Sequence, residues 1–295
     1  MAKRLRRLRR TALDPQRDNG EYERGRAEGY AAGIYAGGEQ LVERNMPPDT
    51  ILPNISVEQI IAAGIPRFRE SFKVLHPVQA VYERLQTALS SHRPFSLVRL
   101  GDGELLVLAQ EKALPIEEVL KRGEFLPQAG VRVPDLSARD LVAQAVAKAN
   151  MVGVPANRLP NFLLLLSPAL AANEIDIMHL EATYSTVNYM LLLAGYLRLL
   201  MDGRRTVVVG NRADALTEHL RAAGFSVCDP VFPVNGIDDV HNAIQQIAAR
   251  EFDLALVSAG IPAVVIAQQI AEKFGRVAID FGHAADSIIK GEAQI

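Results

Sequence analysis

Tryptophan is absent from the 295-residue chain, cysteine occurs once, and aromatic residues make up only 6%. A single cysteine, Cys228, excludes both a disulfide framework and a thiolate metal cluster. Lying between Val227 and Asp229, it reads as a small core residue of a strand. Long apolar runs are missing too. The two most apolar windows, 162–166 and 190–201, fall short of the roughly 20 residues a membrane span needs, and Gly195 and Arg198 break the second. No apolar stretch follows the basic start, so no secretory signal is expected and the protein reads as cytoplasmic and soluble. Three nucleotide and hydrolase signatures are absent as well: G-x-x-x-x-G-K-[ST], G-x-G-x-x-G and G-x-S-x-G. Their absence argues against P-loop hydrolysis, dinucleotide-dependent redox or methyl-transfer chemistry, and α/β-hydrolase chemistry.

Charge of either sign is nearly balanced, with 32 basic against 34 acidic residues and a net charge of −2. That balance hides an asymmetry. Residues 1–10 hold six of the basic residues (Lys3, Arg4, Arg6, Arg7, Arg9 and Arg10) and no acid, leaving 26 basic against 34 acidic residues in the body, a net of −8. An acidic body does not suit extended nucleic-acid binding, which needs a basic face. The basic tip reads either as a solvated tail or as a contact to an anionic membrane surface.

At 49% hydrophobic residues the chain is too apolar to be disordered, and its length allows one large domain plus an extension. Residues 1–75 are expected to form that extension, helical or partly disordered, and residues 76–295 the domain. In the extension, Gly25, Gly29, Gly33 and Gly37 recur every four residues, near one helical turn. A helix there would carry a glycine stripe suited to close approach by another backbone, so residues 20–45 read either as an oligomerisation segment or as a linker. Pro47, Pro48 and Pro53 forbid a continuous helix beyond it. Ser56 reads as the cap of a short helix closed by Gly64.

From Phe95 the pattern alternates. Short apolar strands are expected at 95–100, 151–155, 205–211, 225–234, 252–260 and 277–282. Helices are expected at 78–89, 104–113, 137–150 (capped by Ser137), 161–171, 184–201, 213–224, 238–250 and 262–275. Strands separated by helices predict an α/β, Rossmann-like three-layer domain with a mainly parallel sheet covered on both faces.

Ligands of such sheets bind beyond the carboxyl ends of the strands. That rule nominates 99–104, 154–158, 210–212 with 258–260, and 280–283. In the first, Arg99 precedes Gly101-Asp102-Gly103-Glu104. Two carboxylates at i and i+2 between glycines can converge on one hard cation such as Mg²⁺ or Mn²⁺, and Arg99 can pair with phosphate. The alternative is that Asp102 caps the following helix while Glu104 favours its dipole. In the last, Asp280, Gly282 and His283 can build a site holding a phosphate, a sugar hydroxyl or a base, or His283 can simply cap the fold. Gly210, Asn211 and Arg212 follow a strand in a phosphate-friendly setting, and Ser258 and Gly260 form a similar turn. The other histidines, His76, His92, His179, His219 and His241, have no metal-binding spacing.

Together the runs FSLVRLGDGE, MVGVP, VVVGNRADAL, VSAGIPAVVIAQQIA and AIDFGHAAD resemble a bacterial GT-D-type glycosyltransferase domain over roughly residues 76–290. The resemblance implies a nucleotide-sugar donor, UDP-glucose in the family's known case, and a divalent metal, Mn²⁺ or Mg²⁺. It implies metal ligation by Asp102 and Glu104, maps a family arginine onto Arg99 beside Gly101 and Gly103 as donor-binding residues, and maps a strand-end motif onto Asp280, Gly282 and His283. The acceptor hydroxyl needs a base, for which Asp280 and His283 are the candidates. The acceptor would be a glycan or glycoconjugate. Tyr184 and Tyr189 are the nearest aromatic platforms for a sugar. The alternative is a non-catalytic nucleotide-sugar-binding or oligomeric interaction protein on the same fold.

Overall fold

A computed structural model describes the backbone of residues 15–295 and the side chains from residue 22 onward. The basic tip at residues 1–10 lies outside the described residues. The chain divides into two compact units, Met1–Phe72 and Lys73–Ile295.

In the first unit a helix at Pro15–Ile34 runs through a π-helical stretch, Tyr35–Glu39, into a helix at Gln40–Asn45. The four striped glycines sit on this run, and a Cβ at any of them would meet nothing within 4 Å. The prolines hold residues 46–56 out of helix. Ser56 then caps Val57–Gly64, and Gln59 returns the bond to the Ser56 N–H, a reciprocal capping box. Gly64 does not close the helix. Its φ is −81°, and the chain continues into a 3₁₀ turn, Ile65–Ser71.

The second unit is built on six parallel strands: β1 (Phe95–Arg99), β2 (Met151–Val154), β3 (Ala182–Tyr184), β4 (Thr206–Val209), β5 (Leu254–Val257) and β6 (Val277–Asp280). Their order across the sheet is β3-β2-β1-β6-β5-β4. Successive side chains point to opposite faces, and the apolar residues follow that period of two. Val98, Val152, Val207, Val209, Ala255, Val257 and Ala278 enter one core. Leu97, Met151, Val208, Leu254, Leu256, Val277 and Ile279 enter the other. A strand buried on both faces has no reason to alternate with polar residues, which is why these read as short continuous apolar runs.

Helices Asp102–Ala109, Leu136–Lys148, Leu163–Ala172, Val240–Ala248 and Pro262–Phe274 cover the first face. Helices Val78–Ser90, Val187–Leu193, Tyr196–Met201, Ala213–Ala222 and Ala284–Ile289 cover the second. The connection leaving β1 therefore turns to one face and that leaving its neighbour β6 turns to the other. This pair is the switch point of the sheet, where a crevice opens between diverging loops.

Four expectations are corrected. The run 225–234 is not a strand; only isolated bridges join Val227 to Thr206 and Val231 to Val209, and Pro230 and Pro233 lack the N–H groups a ladder needs. Cys228 accordingly sits half-buried in a loop, its thiol directed at the Glu251 carbonyl, and burial pushes that thiol's pKa up. The expected 184–201 helix is two helices, parted where Gly195 turns left-handed at φ 73°. Asp135, not Ser137, caps Leu136–Lys148 by accepting the Ala138 N–H at 2.8 Å.

Candidate active site

A cleft of about 550 Å³ opens at the carboxyl ends of β1 and β6. On the side of the first core it is bounded by the start of Asp102–Ala109 and by the turn carrying Phe125, Gln128 and Ala129. On the side of the second core it is bounded by Ser185, Thr186 and Tyr189 after β3, Arg212 after β4, and His283 and Asp286 after β6. Arg99, Gly101 and Ser258 lie between the two walls.

Gly101 is the N-cap of the helix that carries both carboxylates. Asp102 takes the first helical position, and its Oδ1 accepts the Gly103 N–H at 3.0 Å. Glu104 at the third position turns back, and its Oε2 accepts the Gly101 N–H at 2.7 Å. Both carboxylates also favour the positive end of the helix dipole. So the cap is not Asp102, and Glu104 contributes the capping bond. Both carboxylates line the cleft while each holds a backbone N–H. Burial, reinforced by the nearby charge of Asp280, pushes the Glu104 carboxyl up to about 7, against the Gly101 N–H and Arg99, which favour its ionised form.

Asp280, at the end of β6, is 3% exposed and does not line the cleft. Its Oδ2 accepts the Arg99 backbone N–H at 3.1 Å, and its Oδ1 accepts from Arg99 Nη2 at 2.9 Å. Arg99 Nε donates to the Asp280 carbonyl at 2.8 Å, and Nη1 to the Ser185 carbonyl at 3.0 Å. Burial raises the Asp280 carboxyl pKa, and the Arg99 guanidinium opposes that rise.

The glycines here have specific reasons. Gly282 takes φ 49°, and a Cβ there would overlap the Arg99 guanidinium, so it admits the arginine to its slot. Gly210 takes φ 130° with its Cα against the Ser258 carbonyl, so it joins the β4 and β5 loops from behind the cleft and does not line it. Asn211 is likewise outside the lining; its Oδ1 accepts the Val234 N–H at 2.7 Å and ties down the loop after Val231. Gly260, at φ 63°, leaves a would-be Cβ 2.6 Å from the Ala129 carbonyl oxygen and lets the two loops touch. The Ser258 hydroxyl donates to the Gly282 carbonyl.

Ten of the thirteen residues singled out in sequence thus line one cleft: Arg99, Gly101, Asp102, Gly103, Glu104, Arg212, Ser258, Gly260, Gly282 and His283. Asp280, Gly210 and Asn211 support it from behind. No residue of the nominated 154–158 loop reaches it. Phe125, Gln128, Ser185 and Thr186 were not singled out and lie in its walls, while Tyr189, named as an aromatic platform, does line it. Among the described residues no three His, Cys, Asp or Glu side chains group as a metal cluster. Two carboxylates beside space for phosphate oxygens is nevertheless a donor set that Mg²⁺ and Mn²⁺ accept. None of the described helices is long and apolar enough to cross a membrane.

An open all-parallel sheet with a cleft at its switch point defines a Rossmann-like α/β domain. More narrowly, the chain belongs to the family of GT-D fold-like domains, which matches residues 76–288. A solved structure described as a selenomethionine-substituted domain of unknown function 1792 is similar, at 17% identity and a TM-score of 0.53, over 76% of this chain and 83% of that one. A second, described as the highly conserved domain of unknown function 1792 with a distinct glycosyltransferase fold, covers 73% of this chain and 85% of its own at 17% identity, with a TM-score of 0.48. No curated protein matches.

Proposed function

We propose that the protein is a metal-dependent glycosyltransferase that moves a sugar from a nucleotide sugar, a UDP-sugar such as UDP-glucose, to a glycan or glycoconjugate. The observation that carries this reading is the Asp102 and Glu104 pair at a helix start inside the switch-point cleft. The leaving nucleoside diphosphate gains negative charge as the glycosidic bond breaks. Mn²⁺ or Mg²⁺ bound there would supply electrostatic stabilisation of that charge. Asp102 and Glu104 would hold the ion. Charge balance supports this. With Glu104 ionised, the cleft lining counts Arg99 and Arg212 against Asp102, Glu104 and Asp286, with Asp280 just behind. A diphosphate entering so acidic a site needs a cation beside it.

Of the two candidate bases, Asp280 has both carboxylate oxygens bonded to Arg99, whereas His283 faces the cleft. His283 is therefore the residue we assign to take the acceptor hydroxyl proton. The same reading places the enzyme in the cytoplasm, with residues 1–10 as a contact for an anionic membrane face and residues 20–45 as a self-association segment.

A second reading, a nucleotide-sugar-binding module without turnover, is favoured by the capping bond of Glu104, which gives that carboxylate a structural reason to be there. Release of sugar from UDP-sugars with Mn²⁺, measured for wild type, Asp102→Asn and Glu104→Gln, separates the two. The enzyme reading expects Mn²⁺-dependent release by wild type and at least about a hundredfold loss in each variant. Full activity in both variants would sink the metal assignment. Mn²⁺-dependent UDP binding by wild type without release from any donor would favour the module.

A further inference from the structure

Both arginines of the cleft were plausible phosphate ligands in sequence, yet the structure treats them differently. Arg99 is the more enclosed, its side chain 18% exposed. Three of its five guanidinium N–H groups are committed, to the Asp280 carboxylate, the Asp280 carbonyl and the Ser185 carbonyl. Gly282 packs directly on its guanidinium, and Gly153 leaves a would-be Cβ only 3.1 Å from its Cγ. It ties the ends of β1, β3 and β6 together, and its charge is already balanced by a buried carboxylate. Arg212 is the opposite case. Its side chain is 52% exposed and lines the cleft on the wall facing Asp102 and Glu104. It pairs with Asp286, 3.6 Å away, a loose pair whose acid is itself 31% exposed. A pair so solvated contributes little to stability, so exchanging Asp286 for a stronger anion costs little. A guanidinium binds phosphate with a two-pronged, charge-assisted geometry that Asp286 at this distance does not satisfy.

We propose that Arg212 is the main diphosphate ligand of the cleft, released from Asp286 when a nucleoside diphosphate enters, and that Arg99 serves chiefly as a positioning residue. The proposal rests on the donor-binding reading above and assigns its anion subsite. Asp102 and Glu104 would hold the cation, and Arg212 would supply the second positive charge to the diphosphate. Asp286, a competitor for Arg212 in the resting cleft, is left free beside His283 once the donor is bound.

Calorimetric titration of UDP and of inorganic pyrophosphate, each with and without Mn²⁺, into full-length wild type, Arg212→Gln, Arg99→Lys and Asp286→Asn tests this, with a melting curve for each. Arg212→Gln is expected to weaken both ligands about ten- to a hundredfold with an unchanged melting temperature, the loss of one to two charge-assisted hydrogen bonds. Asp286→Asn is expected to tighten both ligands about threefold or more without Mn²⁺ by removing the competing charge. Arg99→Lys is expected to lower the melting temperature, while Mn²⁺-saturated affinity, extrapolated to the folded fraction, stays within about threefold of wild type. Wild-type affinity in Arg212→Gln, or a larger affinity loss in folded Arg99→Lys than in Arg212→Gln, would overturn the proposal while leaving the glycosyltransferase reading intact. If wild type itself bound neither UDP nor pyrophosphate with Mn²⁺, the donor-binding reading would fail and this assignment with it.

Discussion

Replacing Asp280 by alanine should unfold the second unit far more readily than its position at a strand end suggests. The change removes two of the bonds that fix Arg99, those to its backbone N–H at 3.1 Å and to Nη2 at 2.9 Å. The carbonyl bonds from Nε at 2.8 Å and Nη1 at 3.0 Å remain. Arg99 would then keep a full charge where its side chain is only 18% exposed, with no counter-charge in contact. Breaking a buried pair from one side costs about 3–5 kcal/mol, which for a domain of this size lowers the melting temperature by about 6–20 °C. Calorimetric melting of Asp280→Ala against wild type measures it. The double variant Arg99→Met/Asp280→Leu removes both charges and should recover part of the loss, because replacing both partners with apolar groups of similar volume is often nearly neutral. A melting temperature for Asp280→Ala within about 2 °C of wild type would refute the view that this pair holds the switch point together. So would a double variant less stable than Asp280→Ala alone.

Other consequences can be measured directly. Gly210→Ala forces a Cβ into the Ser258 carbonyl at φ 130° and should cost upward of about 2 kcal/mol, reported by its urea midpoint. Gly29→Ala is the contrast: a helical site with nothing within 4 Å should gain about 1 kcal/mol of helix stability, seen as increased helicity by circular dichroism of the full chain. Ser56→Ala removes the side-chain half of a capping box and should cost the Val57–Gly64 helix about 1 kcal/mol, read as faster amide hydrogen exchange there. The Glu104 carboxyl titrates at about 7 in the fold against an ordinary 4.5. The native state therefore binds more protons than the unfolded chain between those values, and without added metal its contribution to stability is fully present below about pH 4.5 and is lost as pH rises through about 7. Urea midpoints from pH 4.5 to 8 should show that slope in wild type and a flatter one in Glu104→Gln.

The strands that were legible in sequence were those buried on both faces, because their apolar runs are continuous and bounded by glycine or charge. β3 escaped notice for the opposite reason. It is three residues at a sheet edge, running straight into apolar residues 187–193, so the stretch reads as one helix. Missing β3 meant missing Ser185 and Thr186, the residues that follow it into the cleft. The turn carrying Phe125 and Gln128 has no periodic pattern, and its place is set by contacts far away in the chain: Ile261 N–H to the Ala129 carbonyl at 3.0 Å and Ile237 N–H to the Gly130 carbonyl at 2.9 Å. The acid-glycine-acid triplet was visible because its chemistry is local. That Asp280 would face Arg99 across 181 residues, and not the cleft, depends on β6 pairing with β1, which only the topology decides.

The position of β6 also bears on how the protein is made. It is the last strand in chain order and sits in the middle of the sheet, between β1 and β5. Until residues 277–280 are made, no strand exists to join β1 to β5, and the inner edges of both would be unpaired. Those edges are templates for pairing with another nascent chain. Closing the sheet links residues far apart in sequence, a slow step by topology. The cleft, walled from both halves, cannot form before it. A ribosome-bound chain stopped short of Val277 should therefore be protease-sensitive and aggregation-prone.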